Sequence, residues 1–520
     1  MGKQPNFLFF MTDQHRADWL GCYGHPVVKS PNIDAIAQSG IRFDNFYVAS
    51  PVCMPNRATF MTGRMPSVHG LRYNGCLLPQ RANTFVDVLA QAGYQTSSFG
   101  KSHLQPFTDL PLFDSDSVDR RLVEAWRSDR GNYDQEQPHT YSSDSLYPFQ
   151  TPYYGFQVVD MVTGHGHRCG GHYGQWFRNN VPDWQAMFDP ANELPHDYIC
   201  PQSYRTPIPE EAYSTAYIAD RTIDHLNTLN ADDENPFFMF VSFPDPHHPF
   251  NPPGRYWDMY STDQFSVDLP FEAHKNPPHP IRWLRDHYLS GGESLSPTTA
   301  TYASEREVLE GMALTAGMIT CIDDAIGRVM QTLKSRDLYN HTVVCFTADH
   351  GDYLGDFNMM RKGALPTRSI TQVPFLWSDP RDRHAATNSS MASTLDIAQT
   401  VLSRAGEAPY RGIQGIDLNP AMQGRPTDRD ELLIEFNDIT GRMGLEQAAR
   451  VRSLINDEWR YTIYGGLDWG ELYNTKSDPR ETHNLWDHPD YRDVRACLAE
   501  RLNHHLTAQM DESPFANRQA

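Results

Sequence analysis

Residues 305–351 read EREVLEGMALTAGMITCIDDAIGRVMQTLKSRDLYNHTVVCFTADHG. Val308, Met312, Ala316, Ile319, Ile322, Ile326, Val329 and Leu333 recur at spacings of three and four, which predicts a helix over Glu305–Leu333 with one buried stripe. The short apolar run Thr342–Thr347 reads as a strand, and it stops at Ala348-Asp349-His350-Gly351. On either side of this unit the same alternation continues. Asn6–Met11, Ile41–Val48, Gln95–Phe99 and Phe237–Phe243 read as strands, and Pro31–Ser39, Thr84–Ala92 and Ala212–Leu229 as helices. Strand and helix in alternation argue for an α/β domain with a largely parallel sheet, whose ligands bind at the carboxyl ends of the strands.

The alternation breaks twice, over Gln105–Pro209 and Asn251–Thr299, in stretches rich in Pro, Tyr, Gly, Ser, His and Asp. Irregular segments of this length in a compact domain are usually functional lids or disordered, and these are expected on the substrate side. Near Gly424-Arg-Pro-Thr a polar linker precedes new strand patterns, Glu431–Phe436 and Trp459–Tyr464, and a closing helix from about Tyr491 to Met510. The expected division is a catalytic domain over 1–424 and a smaller α+β domain over 425–520.

The 520 residues carry 65 Asp+Glu against 44 Lys+Arg, a net charge of −21, with 39% hydrophobic residues. That composition supports a large core and excludes disorder and small stapled scaffolds. An acidic surface repels phosphate backbones and anionic lipid, so neither nucleic acid nor membrane is expected as a partner. The start, Met1-Gly-Lys-Gln-Pro-Asn, leads only into the short apolar run Phe7–Met11, without a small-residue cleavage site. The chain therefore reads as cytoplasmic, and its eight scattered cysteines as thiols. The long irregular segments suit exchange arms between subunits of a homo-oligomer.

Asp13-Gln14 ends the first strand as Asp349-His350 ends the Thr342–Thr347 strand. Two carboxylates, a carboxamide and an imidazole at one sheet edge make a divalent cation site; the blander alternative is that each Asp caps the helix behind it. A second informative stretch is Ser50-Pro-Val-Cys53-Met-Pro55-Asn-Arg57-Ala-Thr-Phe-Met-Thr62-Gly63-Arg64. Its Cys-x-Pro-x-Arg spacing, continued by Thr-Gly-Arg, resembles the signature of type I, formylglycine-dependent sulfatases of the alkaline phosphatase superfamily. Gly93-Tyr-Gln-Thr96 with Gly100-Lys101-Ser-His103-Leu104 resembles that family's GYxT…GKxHL segment, and Pro246-His247-His248-Pro249-Phe250 its PHxPF loop. Leu472-Tyr473 with Asp478-Pro479 and Glu481-Thr-His-Asn484-Leu485 is similar to its C-terminal LYDL…DPxExxNL stretch.

The resemblance implies an alkaline-phosphatase-like sandwich, a large mostly parallel sheet between helices, with the smaller C-terminal α+β domain. It implies that a maturation enzyme oxidises Cys53 to Cα-formylglycine, whose hydrated aldehyde is the nucleophile. The metal ligands would be Asp13, Gln14, Asp349, His350 and the residue-53 oxygen, around one divalent ion, Ca2+ or Mn2+. Pro55 would fix the turn after the nucleophile, and Arg57 would hold nucleophile and carboxylates in place. Lys101, Lys362, twelve residues beyond His350, and Arg57 would neutralise the sulfate. His247 or Lys362 would protonate the leaving alcohol and His103 would act as base. Asn74, in Tyr73-Asn74-Gly75, is a substrate contact or a turn residue. The cluster Gly164-His165-Gly166-His167-Arg168-Cys169-Gly-Gly-His172 resembles a variable, substrate-facing loop of the family, its histidines a polar lining rather than a closed zinc site.

Gln14 and His350 depart from the Asp and Asn of many sulfatases and resemble the choline-sulfatase and phosphonate monoester hydrolase branches. A nitrogen ligand weakens the case for calcium and strengthens that for manganese. Lys101 and His103 stand where phosphonate monoester hydrolases carry Tyr and Thr, which favours sulfate esters. The leading expectation is hydrolysis of small, aryl sulfate-like monoesters. The alternatives are a phosphonate monoester hydrolase or phosphodiesterase on the same site, also expected as side activities, and a choline- or sugar-sulfate sulfatase. A thiol-bearing, non-catalytic binder of sulfated ligands is the third reading.

Overall fold

The computed structural model describes residues 4–109, 125, 127, 129–231, 233–292, 299–427, 429–516 and 518. The Glu305–Ser335 helix forms with all eight residues of the predicted stripe buried. The Ser304 hydroxyl accepts from Glu307 N, and the Glu307 carboxylate accepts from Ser304 N at 2.6 Å, a reciprocal cap that fixes where the helix begins. The helix feeds the Thr342–Ala348 strand, which lies in a nine-stranded sheet. At the centre of that sheet five strands run parallel, in the order Thr342–Ala348, Asn6–Thr12, Phe237–Ser242, Gln95–Gly100, Val158–Thr163.

Period-two alternation divides the first strand between two cores. Leu8 and Phe10 pack with the Glu305–Ser335 and Ser214–Thr228 helices, while Phe7, Phe9 and Met11 pack with Phe60, Phe85 and Val401 from helices on the opposite face. The result is the expected mixed α/β sandwich. A four-stranded antiparallel sheet follows, Glu431–Asn437, Arg450–Asn456, Trp459–Tyr464 and Gly470–Asn474. One face sets Phe436, Val451 and Tyr464 against Tyr353, Leu365 and Ile370; the other sets Leu454, Tyr461 and Leu472 against Leu498 and Leu502 of the Arg492–Ala508 helix.

Three readings are corrected. Ile41–Val48 is two strands, Ile41–Phe43 and Phe46–Tyr47, in different sheets, because Asp44-Asn45 turns the chain and Asp44 N bonds Asn388 O at 2.8 Å. The segment Gln105–Pro209 contains the Val158–Thr163 sheet strand and the His172–Asn180 helix, and Asn251–Thr299 contains the His279–Leu289 helix. The strand escaped notice because it is short and holds Asp160 in its middle. Parts of both segments, 110–124 and 293–298, lie outside the described residues, as do Met1–Lys3. Among the described residues no helix is long and apolar enough to cross a membrane.

Candidate active site

The five parallel strands end on one edge, and each delivers side chains just past its last residue. Asp349-His350 follow Ala348, Asp13-Gln14 follow Thr12, Lys101 and His103 follow Gly100, His247 lies five residues past Ser242, and His165 two past Thr163. Cys53 opens the Cys53–Thr62 helix, every residue of which is buried, so the helix N-terminus points its positive end into the same cluster. The four-residue spacing from Cys53 to Arg57 puts both on one helix face. Pro55 does not shape a turn after Cys53 as expected; it sits inside the first helical turn, where its missing N–H has no intrahelical partner to lose.

Arg57 organises the floor of the site. Its Nε donates to Asp349 Oδ2 at 2.7 Å, Nη2 to Asp13 Oδ2 at 3.3 Å, and Nη1 to Ser242 Oγ at 2.9 Å and Lys101 O at 3.0 Å. Asn56 Nδ2 donates to Asp349 O at 2.6 Å, and Gln14 N donates to Asp349 Oδ1 at 3.1 Å. Lys101 Nζ pairs with Asp13 Oδ2 in complete burial. On the other side Lys362 Nζ lies 3.0 Å from Cys53 Sγ, 2.9 Å from His350 Nε2, 3.1 Å from His247 Nε2 and 3.2 Å from Gln14 Oε1. Asn74 commits its carboxamide oxygen to Met54 N at 3.2 Å, supporting the start of the helix.

Cys53 Sγ lies 3.2 Å from His350 Nε2 and 3.8 Å from Asp13 Oδ1, while His350 Nε2 is 3.6 Å from Asp13 Oδ1 and 3.7 Å from Asp349 Oδ1. Donors that share an ion at about 2.0–2.5 Å stand roughly 3–4 Å from one another, so this set fits a single divalent cation. Gln14 is oriented by Asp352 Oδ2 and His248 Nδ1, at 2.5 and 3.0 Å from its Nε2.

Electrostatics follow from burial against pairing. Burial pushes Asp13 up, but Lys101 and the neighbouring cations outweigh it and hold the carboxyl well below its ordinary range. Burial and Asp13 push the Cys53 thiol up, and Lys362, His350 and Lys101 reverse this and lower it. Lys362 is held above its ordinary value because Cys53, Asp13 and Asp349 overcome burial. His103 and His247 are both pushed well down by burial and by neighbouring cations and histidines, so both are neutral.

Gln14 and His103 adopt left-handed backbone, φ 59° in each, a cost of roughly 1–2 kcal/mol for a non-glycine residue. The conformation is held in place for His103 by Glu136, a buried carboxylate that accepts from His103 N, Leu104 N and Gln105 N at 2.8, 2.9 and 3.1 Å. Glu136, Asp352, Ser242 and the placement of His165 were not read from the sequence. His165 alone carried a signal, a histidine between two glycines in a cluster already noted, but the strand that aims it was hidden.

The Sulfatase family profile matches residues 5–407, and the profile for the C-terminal region of N-sulphoglucosamine sulphohydrolase matches 355–508. An arylsulfatase of Clostridium perfringens is 25% identical over 512 residues, covering 96% of this chain and 94% of that one. A choline-sulfatase of Rhizobium meliloti is 24% identical over 514 residues, covering 95% and 86%. The crystal structure of the phosphonate monoester hydrolase of Agrobacterium radiobacter superposes with a TM-score of 0.75 at 25% identity, covering 98% of this chain and 97% of that one.

Proposed function

The chain belongs to the sulfatase family, and from that premise we propose that it hydrolyses small sulfate monoesters, aryl sulfate-like, at the Cys53 site. The observation that carries this is Cys53 at a buried helix N-terminus, with Lys362 Nζ at 3.0 Å and His350 Nε2 at 3.2 Å. Asp13, Gln14, Asp349, His350 and residue 53 would hold a divalent cation, Ca2+ or Mn2+, which with formylglycine made from Cys53 by a maturation enzyme would supply the nucleophilic hydroxyl near neutral pH.

The chain's own residues do the rest. Arg57, Lys101 and Lys362 set three basic side chains around two carboxylates, Asp13 and Asp349, so with a metal the site would carry surplus positive charge for a sulfate monoanion. Bound side chains that are already fixed lose little on reaction, and the acidic exterior is screened within about 8–10 Å at physiological salt. Lys362 is the proton donor to the leaving alcohol. His247 Nδ1 donates to His248 O at 2.5 Å, which leaves Nε2 as a lone-pair acceptor facing Lys362 Nζ rather than as an acid. His103, neutral and with a buried Nδ1 that has no partner among the described residues, is the proton acceptor. In sum, an ester and water become an alcohol and hydrogen sulfate.

The likeness to the Agrobacterium enzyme keeps a second reading, hydrolysis of phosphonate monoesters or phosphodiesters, in contention. Lys101 and His103 favour the first. The test is kcat/KM for an aryl sulfate against the matching aryl phosphonate on enzyme co-expressed with a maturation enzyme; preference for the phosphonate reverses the assignment. Peptide mass spectrometry across Cys53 decides the nucleophile, and an unmodified thiol in fully active enzyme refutes it.

A further inference from the structure

The Val158–Thr163 strand lies parallel to Gln95–Gly100, with Gly100 opposite Met161, so the residues just past the two strands are neighbours. His165 is thereby brought to Lys101, its Nε2 2.6 Å from Nζ and 3.8 Å from Asp13 Oδ2. Its ring stacks on His247 at 3.7 Å between centroids, 11° from parallel, and takes the edge of Phe107 at 5.5 Å. Gly164 and Gly166 flank it with φ of 77° and 59°. A Cβ on Gly166 would lie 2.6 Å from Pro249 Cγ and 2.9 Å from the Asn251 amide, so this turn is packed against the loop that carries His247.

A lysine ammonium is donor only, so the short Nζ to Nε2 contact makes His165 the acceptor and puts its proton on Nδ1. Burial and Lys101 push His165 down to about 3, consistent with a neutral ring. Of the three N–H groups of Lys101, one is held by Asp13 and one by His165, which leaves one for a bound substrate. A lysine otherwise rides on a flexible four-carbon stem. We propose that His165 is a further positioning residue of this site, fixing the Lys101 ammonium through Nε2 and bracing His247 through its ring. The role rests on the sulfatase reading for its consequence in catalysis, and on geometry alone for the hold on Lys101.

The rival is metal ligation, because Asp13, His165 and His247 also offer three donors within 4.8 Å of one another. Lys101 Nζ bonds both Asp13 and His165, and metal content measured on the variants below separates the two readings.

Three variants separate these. His165→Phe keeps the ring stack and removes the acceptor, His165→Gln restores an acceptor without the ring, and His165→Ala removes both. With an aryl sulfate, His165→Phe and His165→Ala lower kcat by about 10²-fold, the scale of a misplaced group, and His165→Gln recovers part of it. Competitive acetylation read by peptide mass spectrometry reports on Lys101 directly. Lys101 is protected in the wild type and in His165→Gln and labelled in His165→Phe. Metal content stays the same in all. Protection of Lys101 that survives His165→Phe overturns the proposal, as does loss of one metal equivalent in that variant. If the wild type hydrolyses no sulfate ester, the reading of function fails while the acetylation result still decides the role of His165.

Discussion

Two arginines of this molecule are buried in the same way and do different work. Arg57 lies between Asp349 and Asp13, at 2.7 and 3.3 Å, and Arg460 lies between Glu481 and Glu471, at 2.5 and 2.9 Å. Both are all but inaccessible. Around Arg460 the acids outnumber the cation, and neutral donors answer them: Tyr464 Oη donates to Glu471 at 3.0 Å and Arg368 N to Glu481 at 3.0 Å. Burial pushes Glu481 up and Arg460 pulls it part of the way back. Around Arg57 the cations outnumber the acids, because Lys101 and Lys362 join it, and Cys53 sits among them. A buried ion pair is therefore no mark of function. Surplus charge of one sign beside a nucleophile position is.

Removing the proposed nucleophile should give the largest effect. Cys53→Ala should lower kcat/KM toward an aryl sulfate by at least about 10⁴-fold, the loss expected when a member of a concerted catalytic unit is deleted. Denaturant unfolding of the same variant should stay near wild type. Turnover that persists within tenfold would place the attacking group elsewhere and dissolve the contrast between the two loci.

Truncating each arginine sharpens the contrast. Arg460→Ala leaves two buried carboxylates against one another and should cost about 3–5 kcal/mol of stability with kcat/KM nearly unchanged in the folded fraction. Arg57→Met should cost kcat/KM about 10²–10³-fold, because it unfixes Asp13, Asp349 and Ser242 together at the reacting edge. The measurement is chemical denaturation and steady-state kinetics on both. Equal catalytic losses would show that the two clusters are coupled rather than distinct.

Lys362 offers a finer cut. As the proposed proton donor it should matter most where the leaving alkoxide is most basic, so Lys362→Ala should cost about 10²–10³-fold with an alkyl sulfate and clearly less with a nitrophenyl sulfate. A loss independent of the leaving group would assign Lys362 to charge neutralisation alone.

How far these differences could be read from the chain depends on periodicity. The stripe Val308 to Leu333 and the buried runs before Asp13 and Asp349 are strong period signals, and the strands they predict are in place. The Cys53 to Arg57 spacing matched a motif and so gave two residues at once. His165 and Glu136 carry no such signal because the Val158–Thr163 strand and the loop around Glu136 have neither period, and their partners, Lys101 and the His103 to Gln105 amides, come from 31 to 64 residues away in sequence. Arg460 was invisible for a similar reason: Glu471 and Glu481 meet it through antiparallel pairing and a loop, which composition does not encode.

A third solution to burying charge stands beside the site, and it gives the smallest and most specific test. Asp245 precedes the Pro246-His247 loop, is fully buried, and faces Thr215 Oγ1 at 3.1 Å and Tyr213 Oη at 3.4 Å, with no salt-bridge partner among the described residues. Burial pushes it up to about 7, with Thr215 and Tyr213 pulling part of the way back. Its folded pKa thus exceeds the unfolded value of about 3.9, so the folded state holds the extra proton in between. The protonated carboxyl contributes fully below about pH 4, and that contribution is lost as pH rises through about 7, a span worth roughly 3–5 kcal/mol. Asp245→Asn keeps the shape and cannot ionise. Against wild type it should gain relative stability between about pH 4 and 7 and level off above that. A difference in unfolding free energy that does not change over that range would mean that Asp245 is ionised and paired after all, and that the surplus cations of the Arg57 locus reach beyond Asp13 and Asp349.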